Sequence, residues 1–161
     1  MKKSNWTDVA ELVGIAAIVA SLVFVGLQMR QSQEIAIAEQ YQARAVIAIE
    51  NWARRSENEF TVRSIGSREL SSHGRPPHMS EDASLEEIGS EFLDGIITFL
   101  TYDNLHFQYE SGFLTDEAWD SHTRGMKANL RDPRLQHYLY EHKHVFRKSY
   151  WEWCDRLVRD P

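Results

Sequence analysis

Hydrophobic residues are unevenly distributed along the chain, because one stretch near its start is almost entirely apolar. Residues 12–29 contain no charged side chain, and Ser21 and Gln28 are the clearly polar ones. As an α-helix this stretch would be about 27 Å long, at a rise of about 1.5 Å per residue. The hydrocarbon core of a bilayer is about 30 Å thick, and Val9 and Ala10 extend the apolar run. The pattern therefore predicts a membrane-spanning helix.

The residues on either side of the apolar stretch also suit a membrane boundary. Trp6 precedes the stretch, where an amphipathic ring favours lipid headgroups. Arg30 follows it, where a long basic side chain can reach phosphates. Two other interpretations stay open, a buried core helix of a water-soluble protein and a cleaved signal peptide. Asp8 and Glu11 before the stretch, and the lack of a small-residue cleavage site after Met29, oppose the signal peptide.

Small residues share one face of the predicted spanning helix. Spacings of four, three and four residues keep them on one side: Ala10, Gly14, Ala17 and Ser21. Small side chains let two helices approach closely in lipid, where packing drives association. We therefore predict that this face contacts another membrane helix. The alternative is that alanine and glycine are simply common in spanning helices.

After Arg30 the pattern changes from wholly apolar to amphipathic, with apolar residues at helical spacing. No proline or glycine interrupts the chain between Gly26 and Ile65. We therefore expect the spanning helix to continue into water as far as about Arg55. The aqueous part offers an apolar stripe for packing or docking: Ile35, Ala38, Tyr41, Ala45, Ala48, Ile49 and Trp52.

The rest of the chain predicts a helical soluble domain. The expected organisation is a tail and transmembrane helix over residues 1–30, an aqueous extension over 31–56 and the soluble domain over 57–161, with a loop near 71–84. A short helix before that loop is weakened by Gly66. Further helices are expected over 85–109, from Thr115 to about Leu130, from Pro133, and around Trp151. Because no segment alternates with a period of two, we predict an all-α fold, one long N-terminal transmembrane helix continuing into a small helical bundle.

Charge is also unevenly placed along the chain. The formal net charge is −6. Residues 57–120 contain fourteen acidic and three basic side chains, whereas residues 121–161 contain nine basic and five acidic ones. The acidic balance opposes a role in binding nucleic acid, which requires basic surface. We expect the acidic middle and the basic end to attract each other, and the alternative is a basic surface against anionic lipid.

Two groups of residues together carry a resemblance to a known family. The first is Trp6-x-x-x-x-Glu11-x-x-Gly14 with Ser21-Leu22 and Gln28-x-Arg30-Gln31, and the second is Phe107-x-Tyr109-x-x-Gly112-x-Leu114 with Trp119. The chain resembles a family of small bacterial membrane proteins that begin with a spanning helix and end in a helical soluble domain. The resemblance implies this architecture and brings no activity, cofactor or catalytic residue. It implies a bacterial inner membrane as the location.

The side of the membrane that holds the soluble domain is weakly marked. Lys2 and Lys3 precede the spanning stretch, and Arg30 and Arg44 follow it, so the positive-inside rule favours neither side. Cys154 is the sole cysteine, which excludes an internal disulfide and suits a reducing compartment. We therefore expect the soluble domain to be cytoplasmic.

Motifs for catalysis or cofactor binding are scarce in this sequence. There is no phosphate-binding glycine loop, dinucleotide fingerprint or Gly-x-Ser-x-Gly elbow. We expect Cys154, beside two tryptophans, to be a buried apolar group and not a nucleophile. We expect no cofactor, no metal and no catalytic residue.

A metal-dependent enzyme is a further alternative, because carboxylate-x-x-His spacing occurs twice. Asp103 precedes His106, and Glu141 precedes His144, at the spacing that di-iron helix bundles use. Such a site also needs carboxylates from other helices, for which three residues are available: Glu39, Glu50 and Glu91. The simpler interpretation is that His106 borders an apolar face and that His142 and His144 are solvated.

Aromatic and basic residues crowd the C-terminal end of the chain. Trp151 and Trp153 lie here among tyrosines, lysines and arginines, a composition typical of protein interfaces and of headgroup-level membrane contacts. Because they are two residues apart on a helix, both cannot be buried on one face. We predict that Trp6, Arg30, Trp151 and Trp153 contact the membrane interface or a partner, with plain core packing as the alternative.

These observations predict a non-catalytic protein anchored in a membrane by a single helix. We expect it to act as an accessory or assembly subunit of a larger membrane complex, such as a respiratory, photosynthetic or transport complex. Its expected partners are membrane lipid and other membrane-protein subunits. The first alternative is a structural protein that associates with copies of itself, and the second is the metal-dependent helical-bundle enzyme.

Overall fold

The computed structural model describes residues 5–159. Within these residues the chain forms six α-helices and no β-strand, which confirms the predicted all-α fold with its long N-terminal helix. A short 3-10 turn, Lys143–Val145, precedes the last helix. The helices in chain order are α1 Asn5–Ser56, α2 Glu59–His73, α3 Leu85–Glu110, α4 Asp116–Asn129, α5 Pro133–His142 and α6 Lys148–Arg159.

Helix α1 is 52 residues long and ends one residue beyond the predicted Arg55. The chain divides into two compact units, Met1–Gln40 and Tyr41–Pro161. In the described residues α1 is the one helix long and apolar enough to cross a membrane, and no side chain in its most apolar 18-residue window is buried. The final part of α1, from Tyr41 onward, belongs to the helical domain.

Helix α3 lies at the centre of the second unit and contacts α2, α4, α5 and α6. The core around it combines aliphatic and aromatic side chains, because one amphipathic face of each surrounding helix turns toward α3. The largest fully buried side chains of this unit are Phe99, Leu93, Met126, Leu139, Tyr150 and Cys154. Burial raises the pKa of the Cys154 thiol to about 12, so this cysteine is an inert core residue.

Capping residues mark the ends of most of the helices. Ser84 and Glu87 form a reciprocal capping box at the start of α3. Thr115 caps α4, and Asp132 caps α5 ahead of Pro133 in its first turn. Helix α2 runs to His73, past the expected start of the loop at residue 71. The amide of the next residue, Gly74, still donates to the carbonyl of Leu70, but its φ of +80° takes the chain out of the helical conformation, so the helix ends there.

Three glycines set the distances between helices. Gly66 of α2 and Gly89 of α3 face each other's backbones, and an added Cβ at Gly89 would overlap the carbonyl oxygen of Val62. Gly95 of α3 lies against the ring of Tyr138 in α5. The expectation that Gly66 merely weakens α2 was therefore incomplete. A residue with no side chain at this point lets α2 approach α3 closely.

Replacing Gly89 by alanine is expected to destabilise the helical domain. Alanine favours an isolated helix by about 1 kcal/mol over glycine, but overpacking at the crossing should cost more, for a net loss of about 2 kcal/mol. Chemical unfolding of the detergent-solubilised chain, followed by circular dichroism, measures this change. Ser90→Ala is the matched control, since Ser90 is the exposed neighbour on the same helix. A Gly89→Ala variant as stable as Ser90→Ala would contradict the close crossing.

Candidate functional site

The small residues predicted to form a membrane contact are all exposed in the first unit. Ala10, Gly14, Ala17 and Ser21 lie on α1, and a Cβ at Gly14 would meet no atom within 4 Å. The Ser21 hydroxyl donates to the carbonyl of Ala17 at 2.8 Å, so the one polar group of this face is satisfied within its own helix. This face therefore has only short side chains, and its hydroxyl is already hydrogen-bonded, so it is compatible with lipid.

The side chains predicted for the membrane boundary differ in their surroundings. Trp6 is 86% exposed, and Arg30 donates to Glu34 one turn later at 3.0 Å. Trp153 lies in the core, with its ring 4.8 Å from that of Trp119. Trp151 is half-buried, with the Lys143 ammonium 5.2 Å from its ring. Of the two C-terminal tryptophans, Trp151 is thus the one with accessible surface.

The histidines considered for a metal-dependent enzyme lie in unlike surroundings. His106 is 5% exposed and packs against Trp119, Tyr150 and Trp153. Burial lowers its pKa. His144 is exposed beside His142. One histidine is therefore buried among aromatic rings and the other is exposed. Asp103, the predicted partner of His106, accepts a hydrogen bond from an arginine.

That arginine, Arg147, is a half-buried hub between helices. Its Nε donates to an Asp103 carboxylate oxygen at 2.8 Å, its Nη1 to Glu110 at 2.8 Å, and its Nη2 to the Asp103 carbonyl at 2.9 Å. The guanidinium also lies near the rings of Tyr41 and Phe107, which stack 3.9 Å apart. Arg147 therefore joins α3 to the segment before α6 and to the part of α1 that belongs to this unit.

The Arg147 hub is an instance of the predicted attraction between the acidic middle and the basic end. Other basic residues of the C-terminal part pair locally, for example Arg159 with Asp155. Burial raises the pKa of the Asp103 carboxyl, although Arg147 acts in the opposite direction. A buried carboxylate of this kind is costly unless it keeps its partner.

A second cluster of polar residues lies between α2 and α5. Glu69 and His73 are one turn apart on α2, and His142 is the last residue of α5. An oxygen of Glu69 lies 3.1 Å from Nδ1 of His73 and 3.5 Å from Nε2 of His142. One possible ligand atom from each residue lies within 4.8 Å of the other two. Among the described residues, this is the group of three that could hold a metal ion.

The cluster faces a small pocket that contains further polar side chains. Glu91, His137 and Glu141 line it, together with the ring of Tyr138. Burial lowers the pKa of His142 to about 4, with nearby histidines acting in the same direction. His142 is therefore neutral at physiological pH and keeps a lone pair for a ligand.

Sequence reasoning missed this cluster. His142 was expected to be solvated, but it is 9% exposed, because α5 turns it toward α2 and the ring of Phe92. Glu69 and His73 carry an i, i+4 signal, but the predicted short helix ended at about Leu70. Of the three carboxylates proposed for a metal, Glu91 lies at this pocket, whereas Glu39 and Glu50 are exposed.

Comparison of the chain with protein-family models, curated proteins and solved structures finds no match. The resemblance to small bacterial membrane proteins therefore stays a prediction. Function has to be inferred from the chain's own residues.

Arg147→Gln is expected to lower the free energy of unfolding by about 2 kcal/mol at pH 7.5, since the buried carboxylate of Asp103 loses its partner. The loss should shrink as the pH falls toward 5. Burial already raises the pKa of Asp103 above its unfolded value, and without Arg147 that pKa rises further, so protonation in the folded state relieves the charge. Denaturant unfolding at both pH values measures the difference.

Lys148→Gln is the control for this prediction, because Lys148 pairs with Glu152 at the exposed surface and its replacement should change stability by about 0.5 kcal/mol or less. Adding Asp103→Asn to Arg147→Gln should restore part of the lost stability at pH 7.5. A loss that does not depend on pH, or no recovery in the double variant, would show that Asp103 does not need Arg147.

Proposed function

We propose that this protein is anchored in a membrane by the N-terminal part of α1 and acts by binding, as an accessory or assembly subunit of a larger membrane complex. The observation that carries this proposal is the exposure of the apolar part of α1. Leu12, Ile18, Leu22 and Leu27 are each more than 60% exposed, and none of the described residues of the first unit covers them. Apolar surface of this extent is unfavourable in water and favourable in lipid.

The same exposure opposes the alternative of a soluble core helix, whose apolar window would be mostly buried. Signal-peptide cleavage is opposed by the acidic residues before the stretch. In our proposal the membrane is a bacterial inner membrane and the helical domain is cytoplasmic. Trp6 and Arg30 then lie near opposite headgroup regions, since they flank the apolar stretch.

Association within the membrane is assigned to the small face of α1. A helix that presents Gly14 between alanines and a serine allows close backbone contact, which is the main source of helix affinity in lipid. The hydroxyl of Ser21 already has an acceptor in Ala17, so steric fit, and not a hydrogen bond across the interface, is expected to determine binding. The partner is another membrane subunit, and a second copy of this chain is the competing occupant.

Membrane anchoring is tested by fractionation of cells that produce the chain. It should stay in the pellet after alkaline carbonate extraction, and its intact mass should include the residues before Trp6. Release into the alkaline supernatant, or a mass that lacks residues 1–29, would overturn the anchor.

Gly14→Leu and Ser21→Leu are expected to reduce co-purification of partner subunits in mild detergent at least tenfold, because leucine separates the two helices. The soluble fold should remain intact by circular dichroism. Ala16→Leu is the matched control, since it makes the same kind of change roughly a third of a turn away from the small face. Unchanged recovery of partners with both variants would exclude this face. Crosslinking that captures only copies of the chain would identify self-association instead.

A further inference from the structure

We propose that Glu69, His73 and His142 bind a divalent first-row transition cation, for which Zn²⁺ is the representative. This site is independent of the proposed membrane function, because it lies wholly within the helical domain. Two ligands come from one helix at i, i+4 spacing and the third from α5, so a bound ion would link α2 to α5. None of the three residues was singled out by the sequence patterns for a metal.

The distances between the side chains fit such an ion. Two ligands about 2.0–2.1 Å from a tetrahedral zinc lie about 3.3 Å from each other. The Glu69 oxygen is 3.1 Å from the ring nitrogen of His73 and 3.5 Å from that of His142. The ligand atoms of His73 and His142 lie within 4.8 Å of each other, so side-chain rotations that shorten this third distance would complete the coordination.

The kinds of ligand narrow the choice of ion. Two imidazole nitrogens and one carboxylate oxygen suit zinc, iron(II) and their neighbours in the first transition row. Mg²⁺ and Ca²⁺ prefer sites made of oxygen ligands. A carboxylate ligand also supplies negative charge, which an imidazole ligand does not.

The surroundings of the cluster suit an ion with a small fourth ligand. The pocket holds about 30 Å³, which leaves room for a water beside the ion. The Tyr138 hydroxyl is buried and has no hydrogen-bond partner within residues 5–159. Tyr138 lines the same pocket and would be available to a water bound to the ion. His73 is the partly exposed ligand, with 30% of its side chain accessible, and gives the ion a path of entry.

The competing explanation is a hydrogen-bonded cluster in which Glu69 accepts from both histidines. That cluster would need no metal, and it predicts no response to zinc. Because an ion bound to the folded state alone raises stability by mass action, metal binding and simple hydrogen bonding differ in a measurable way.

The test uses the full chain without any histidine tag, purified in detergent and dialysed first against EDTA and then against metal-free buffer. Titration calorimetry with Zn²⁺ should give one ion per chain with a dissociation constant below about 10 μM, and Zn²⁺ should raise the unfolding temperature. Mg²⁺ at millimolar concentration should do neither.

Glu69→Gln preserves the shape of the side chain and should weaken zinc binding at least tenfold. His73→Gln should have the same effect and serves as the second variant, because the partly exposed position tolerates change if Glu69→Gln unfolds. His144→Gln is the matched control, since His144 is an exposed histidine beside the cluster that contributes no ligand. Equal zinc affinity in wild type, Glu69→Gln and His73→Gln would overturn the site, and so would a wild-type chain that does not bind zinc.

Discussion

At the crossing of α2 and α3, Gly66 and Gly89 bring two helix backbones closer than any side chain would allow. This contact determines where the rest of α2 lies, including the turn that carries Glu69 and His73. On the next turns of α3, Gly95 leaves room for the ring of Tyr138 and so lets α5, whose last residue is His142, pack closely against α3. Two steric contacts on one helix thus bring Glu69 and His73 together with His142, which is far from them in the chain.

The C-terminal half of α3 makes ion pairs in place of close backbone packing. There Asp103 and Glu110 hold Arg147, and the guanidinium covers the stacked rings of Tyr41 and Phe107. The buried carboxylate of Asp103 is tolerated because it is paired. Arg147 donates to its carboxylate and to its carbonyl, and the Tyr41 hydroxyl donates to the carboxylate at 3.4 Å. The domain therefore uses tight apolar packing at one end of α3 and a charged hub at the other.

The two compact units differ in what their surfaces require. The described part of the first unit is a helix with exposed apolar side chains. Such a surface is unfavourable in water and favourable in lipid. The second buries an apolar core of its own. This division is why we assign association in the membrane to α1 and metal binding to the helical domain.

The sequence by itself determined most of the helices, because helix formation and capping depend on residues close in the chain. The apolar run of α1, the Ser84–Glu87 box and Pro133 all act within a few residues of the structure they produce. The two tryptophans show the limit. Their spacing predicted that only one is buried, but not that Trp153 would be the one facing Trp119.

What only the tertiary structure decided is the set of contacts between distant helices. From the sequence alone, Gly66 is predicted only to weaken its helix, and the tertiary structure shows that it packs against Gly89. His142 is predicted to be solvated, but in the folded domain α5 directs it toward Glu69. Both outcomes depend on how closely particular helices approach, and that distance is set by side-chain volumes on two helices at once. No pattern within a single helix contains this information.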